Sequence, residues 1–83
     1  MITHFVTLQV ATVLPQLGAT FCAALIVMAA SWGISRIGTT ALDSISRQPE
    51  AAGDIRSSMV VSAALIEGVS FFAIIICALV LFL

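Results

Sequence analysis

The sequence predicts an all-α membrane protein, an antiparallel hairpin of two transmembrane helices that assembles into a closed homo-oligomeric ring. Three observations carry the hairpin. Of the 83 residues, 61% are hydrophobic, 8% are charged and none is lysine, so the chain lacks the polar surface to cover a water-soluble core. One short polar stretch, Asp43–Glu50, separates two long apolar ones. The second apolar stretch, Ser57–Leu83, carries a single charge, Glu67. As a helix it would run roughly 40 Å, enough to cross a hydrocarbon core of ~30 Å.

Residues 1–14 form an N-terminal segment, apolar with scattered threonines and with His4 as its only titratable side chain. A cleavable signal peptide opens on a basic region, whereas the first basic residue here is Arg36. Phe21, which precedes Cys22, is too large for a lipoprotein cleavage site. The segment is expected to stay uncleaved and to lie partly in the membrane interface, with helical backbone admissible.

Residues 15–46 are expected to form the first, inner transmembrane helix. Pro15 suits a first helical turn, where its missing N–H costs nothing. The helix is rich in small residues, including the alternation Ala29, Ser31, Gly33, Ser35. At ~100° per residue, Ala29 and Gly33 fall on one flank and Ser31 and Ser35 on nearly the opposite one. Small residues let helices approach closely in membranes. Two such flanks accept a neighbour on each side, and equivalent neighbours imply a head-to-tail ring of identical subunits. A compact dimer would need only one.

A third face carries Ala23, Val27, Ala30, Ile34 and Ala41, suited to packing on the second helix. The fourth carries Leu25, Trp32, Arg36 and Asp43. Trp32 and Arg36, four residues apart, read as an interfacial aromatic beside a snorkelling cation.

Residues 47–50 form the polar loop. Pro49 disfavours helical backbone at Gln48 and ends the first helix. Residues 51–83 then form the second, outer helix, with Glu50 and Asp54 complementing its N-terminus. So short a loop forces the helices antiparallel. Arg36, Arg47 and Arg56 gather towards it and the termini carry no Lys or Arg, so the positive-inside rule places the loop in the cytoplasm and both ends outside.

Glu67 is the candidate functional residue. It lies eleven residues past Arg56, about 16 Å into the helix and close to the bilayer midplane. A charged side chain there costs at least ~2.5–3.5 kcal/mol on insertion scales, so an intramembrane acid marks a functional site. Cys22 and Cys77 sit in apolar runs without metal-ligand or redox spacing and read as small packing residues. No metal or other cofactor is expected. With a net charge of −1 and no basic patch, nothing points to nucleic acid.

The run Arg47-Gln48-Pro49-Glu50-Ala51-Ala52-Gly53-Asp54-Ile55-Arg56, followed by Ala63-Ala64-Leu65-Ile66-Glu67-Gly68, resembles the c subunit of F-type ATP synthase. The resemblance covers roughly Ala29 to Leu83 and is most specific from Ser46 to Gly68. It implies a proton-driven rotor ring in an energy-transducing membrane, such as a bacterial plasma membrane, with lipids around it. It also implies Glu67 as the ion-carrying carboxylate, and Arg47, Gln48, Pro49 and Glu50 as the loop meeting the central stalk. An arginine of the stator a subunit would supply the counter-charge. Such a protein carries ions and turns but makes no bonds, so it is not itself an enzyme.

The chain departs from the family in places. The inner-helix glycine alternation appears as Ala29, Ser31, Gly33, Ser35, and Arg36 and Trp32 stand on the face that would line the ring lumen. In sodium-carrying members, oxygens come from side chains matching Ile34, Gly68 and Phe72, which offer none here. The resemblance therefore implies protons as the cargo. The rival is a small pore-forming or holin-like hairpin, or a structural membrane peptide; a pore should leak where a closed rotor ring should not.

Overall fold

The computed structural model describes residues 1–83 as two long helices joined by a tight turn. Helix α1 spans Ile2–Arg47, a single turn of 3-10 helix spans Pro49–Ala51, and helix α2 spans Ala52–Phe82. The expected hairpin is present.

The start of α1 differs from the expectation. Pro15 lies inside the helix rather than opening it, and residues 1–14 form no separate segment. The molecule measures 73 × 18 × 7 Å, and a straight helix of α1's length would be roughly 69 Å, so α1 passes Pro15 without a sharp bend. Proline removes one N–H from the ladder and frees the carbonyl one turn earlier, a defect that membrane helices tolerate. Thr7, Thr12 and Thr20 turn their hydroxyls back onto the carbonyls of Thr3, Leu8 and Gln16, which hides these polar groups within the apolar stretch.

The turn is shorter than the four residues expected. Arg47 is still helical and Gln48 alone breaks the pattern, at φ −133° and ψ 70°. Pro49 explains the break, since it pushes the preceding residue out of the helical region. The Gln48 N–H donates to the Ser44 carbonyl at 2.9 Å, and the Ala51 N–H donates to the Gln48 carbonyl at 3.0 Å. The chain reverses with both helix ends capped by backbone.

So tight a turn fixes the register. Gly33 of α1 lies against Ile66 of α2, and Arg47 and Ala52, the residues flanking the turn, keep the same correspondence. Counted away from the turn, Arg36 is level with Ala63, and Trp32 is level with Glu67. Helix α2 runs out near the level of Leu17, so the first four turns of α1 project beyond the hairpin without a partner.

The contact face of α1 includes the buried Ala19 and Ala41 and the half-buried Ala23, Ala30 and Ile34. Val27, expected there, is 53% exposed, and Ile26 takes its place. The contact stripe is centred slightly to one side of the predicted face, which also brings Gly33 into it. From α2, Ile55, Met59, Ala63, Ile66, Ser70, Ile74 and Cys77 recur every three to four residues against α1, the spacing of one helix face. Cys77 is half-buried in this packing, whereas Cys22 is exposed.

Only two residues of the chain are buried, while Phe21, Leu25, Leu65, Val69, Phe71 and Phe72 are all at least half exposed. Water would not tolerate an apolar surface of this extent. Both helices are long and apolar enough to cross a membrane, and the protein is an integral membrane protein.

Candidate ion-binding site

Glu67 projects from the middle of α2 on one flank of the hairpin, beside rather than within the helix–helix contact. It makes no ion pair and no hydrogen bond within the chain; the one salt bridge joins Arg47 and Asp43 near the turn. Two hollows meet at its side chain. The one further from the turn, of about 280 Å³, is bordered by Ile34, Phe71 and Ile74 and by the hydroxyl-bearing Ser31 and Ser70. The other, of about 360 Å³ towards the turn, is bordered by Ile34, Ile37, Val60 and Ala64, with Glu67 its only polar side chain.

This arrangement revises the neighbourhood expected from sequence. Ser31, placed among the small packing residues, contributes an oxygen-bearing side chain beside Glu67. Ser62, five residues before the acid, borders a groove on the opposite flank. Ser70 does share the hollow with Glu67. Of the other positions weighed for ion selectivity, Ile34 touches both hollows, Phe72 is 65% exposed, and a side chain at Gly68 would meet nothing within 4 Å. The signal that finds Ser31 is the register across the turn, which places it level with Gly68.

The four small residues of α1 divide. Ala29, Ser31 and Ser35 are exposed, Ala29 on one side and the serines on the other. Gly33, assigned to the same flank as Ala29, is half-buried, and a Cβ there would sit 3.2 Å from Cδ1 of Ile66. Its smallness serves the packing of the chain's own second helix.

Arg36 stands with its guanidinium 5.5 Å from the centre of the Trp32 ring, a cation–π contact. The register corrects the interfacial reading of this pair. Trp32 shares the level of Glu67, and Arg36 lies one helical turn, about 6 Å, nearer the loop. A cation therefore sits within about one helical turn of the level of Glu67, but along the groove on the opposite flank of the hairpin. Asp43 does not pair with Arg36, because Arg47 holds it at 3.2 Å.

Arg47, Gln48, Pro49 and Glu50 come together at the tip, all exposed. Glu50 lies in the first turn of the 3-10 segment and Asp54 in the first turn of α2, where acids complement the positive end of the helix dipole. No cluster of side chains suited to a metal ion is present.

Fold and site together define a membrane-spanning helical hairpin with one carboxyl group at mid-span on its flank. The sequence profile of the ATP synthase C-subunit family matches residues 17–80. The chain is 56% identical over 70 residues to the ATP synthase c subunit of Phocaeicola vulgatus, covering 84% of this chain and 83% of that one. It is 53% identical over 68 residues to the ATP synthase c subunit of Bacteroides thetaiotaomicron, covering 82% and 80%. The ATP synthase c subunit of Protochlamydia amoebophila is more distant, 37% identical over 75 residues, 90% of this chain and 76% of that one. The chain belongs to the family of ATP synthase c subunits.

Proposed function

We propose that this chain is a rotor-ring subunit of the membrane sector of an ATP synthase, and that reversible protonation of Glu67 couples proton flow to rotation. The subunit does no catalysis itself. The observation that carries this reading is the position of Glu67: unpaired, at mid-span, and on the flank of α2 rather than sealed between the helices.

The cost of charge sets the mechanism. Facing lipid, a carboxylate is strongly disfavoured, so Glu67 keeps its proton there. Release requires water and a fixed positive charge. Arg36 is nearest in depth but lies on the opposite flank, so the charge would come from a second protein, which we take to be the stator a subunit. With separate aqueous paths for loading and unloading, a membrane potential supplies about 2.3 kcal/mol per elementary charge per 100 mV. A ring whose neutral carboxyls alone can enter lipid releases that energy by turning.

Identical copies meeting through the flanks of α1 would form the ring, and the exposed tip Arg47–Glu50 would meet the central stalk. The clustering of Arg36, Arg47 and Arg56 towards the turn favours a cytoplasmic tip with both termini outside. The test is reaction with a hydrophobic carbodiimide at near-neutral pH. That reagent attacks protonated carboxyls in apolar surroundings, so Glu67 should be modified and ATP-driven proton pumping lost in proportion. Modification at Glu50 or Asp54 instead would refute the assignment.

A further inference from the structure

Helix α2, with 31 residues, is roughly 46 Å long, enough to cross a bilayer together with its headgroups, ~40–45 Å. Past its end, α1 continues from Gln16 back to Ile2, roughly 22 Å further. This extension therefore stands outside the membrane. Yet Phe5, Val6, Leu8, Val10, Val13 and Leu14 on it are between 46% and 61% exposed. A lone helix of this length is marginal in water, and one this apolar calls for a partner.

The faces of the extension differ in character. Gln9, Thr12 and Gln16 fall in line with Ala19 and Ala23, the face that α2 covers along the rest of the helix. That face turns polar at the level where α2 runs out, as a face left to water should. Val6, Val10, Val13 and Leu17 recur every three to four residues, within an arc of about 60° that carries no polar side chain. This ridge continues the flank of Ser31 and Ser35. Ala11, Gly18 and Cys22 lie on the other flank, in line with Ala29, and leave a shallow furrow. Gly18 is not small on account of its own chain, since a Cβ there would meet nothing within 4 Å.

We propose that the extensions of neighbouring copies pack side by side as a helical collar outside the membrane, the ridge of each seated in the furrow of the next. The partner of the ridge is thus a second copy of this chain. The collar rests on the ring reading, which sets neighbouring α1 helices parallel and at one height. Equal heights bring Val10 to Ala11 and Leu17 to Gly18, a larger side chain beside a smaller one each time. The contact is head-to-tail, so every copy supplies both halves of it and the collar closes with the ring. The membrane-embedded ring already holds the extensions close together, which makes their association intramolecular in effect. Gln9, Thr12 and Gln16 then face the water around the collar, and the copies are held together beyond the membrane as well as within it.

Disulfide cross-linking in membranes that hold the assembled complex tests the collar. In a Cys22→Ala, Cys77→Ala background, Val10→Cys combined with Ala11→Cys should give a ladder of multimers on oxidation. Val10→Cys alone should stay monomeric, because identical positions do not meet in a head-to-tail contact. Thr12→Cys combined with Gln16→Cys, both on the water-facing side, should give no ladder. Ala29→Cys combined with Ser31→Cys, within the membrane, is the reference for the ring itself. A ladder from the reference pair and none from Val10→Cys with Ala11→Cys would overturn the collar and leave the ridge to lipid or another protein. Multimers from Val10→Cys alone would overturn the head-to-tail packing. No ladder from either pair would refute the ring reading, and the collar with it. Independently, Gly18→Leu should lower the temperature at which the purified oligomer dissociates in detergent, and adding Leu17→Ala should recover part of that loss. An unchanged dissociation temperature in Gly18→Leu would show that no neighbour fills the furrow.

Discussion

Gly33 and Ile66 face each other across the hairpin so closely that a methyl group on Gly33 would come within 3.2 Å of Cδ1 of Ile66. The contact joins a glycine of the small-residue alternation to the residue preceding the candidate ion-binding acid. Bulk at position 33 is therefore felt first inside the hairpin, next to Glu67.

Gly33→Ala is expected to be tolerated, because the crowded atom is the mobile end of a side chain. Gly33→Leu should destabilise the hairpin by ~1–3 kcal/mol through overpacking. Ile66→Ala in the same chain should recover much of the loss. Thermal melting of the purified oligomer in detergent measures both. An undiminished loss in the double variant would show that the clash lies between neighbouring copies.

Replacing Glu67 separates fold from function. Glu67→Gln removes the titratable proton while keeping the shape, and the side chain lies outside the helix contact. The variant should insert and assemble like the parent, with melting unchanged within ~0.5 kcal/mol, the usual range for substitutions away from packed contacts. ATP synthesis and ATP-driven proton uptake should vanish. Coupled synthesis at the parental rate would refute the role given to Glu67.

The hairpin was legible in the sequence because its determinants are local. Two apolar stretches of spanning length, with a polar interruption between them that contains Pro49, leave one arrangement. The start of α1 was not legible. Pro15 fits a first turn and an internal position equally well by its own geometry, and the choice depends on whether residues 2–14 sustain a helix before it. They do: α1 is helical from Ile2. The flank of each serine was also hidden. Ser31 and Ser62 lie on different sides of the hairpin only once the register is known, and the register depends on a turn with a single non-helical residue, Gln48. Glu67 itself stood out because no other acid occurs in either apolar span.

At the tip, stability and function should part. Arg47 and Asp43 pair at 3.2 Å but are 76% and 59% exposed, and helical pairs of this kind contribute about 0.3–0.5 kcal/mol. Arg47→Ala should therefore leave the melting of the oligomer almost unchanged. If the tip meets the central stalk, the same variant should weaken retention of the water-soluble sector on washed membranes and lower coupled ATPase activity. Full retention would place the stalk contact elsewhere.

The identity of the ion follows from the oxygen supply around Glu67. A sodium ion gives up its hydration shell only where several oxygens replace it. Beside the carboxylate, the hollow offers the hydroxyls of Ser31 and Ser70, one on each helix. Ile34 presents an alkyl group, Gly68 has no side chain, and Phe72 is exposed with no hydroxyl. A proton asks for less, since one carboxyl oxygen binds it covalently and one acceptor takes the O–H hydrogen bond. Carbodiimide labelling of Glu67 at fixed pH should therefore proceed at one rate in sodium chloride and in potassium chloride. Ser31→Ala and Ser70→Ala should leave that indifference intact. Protection by sodium that potassium does not give, and that disappears in either serine variant, would show that the two hydroxyls complete a sodium site and that the ring carries sodium.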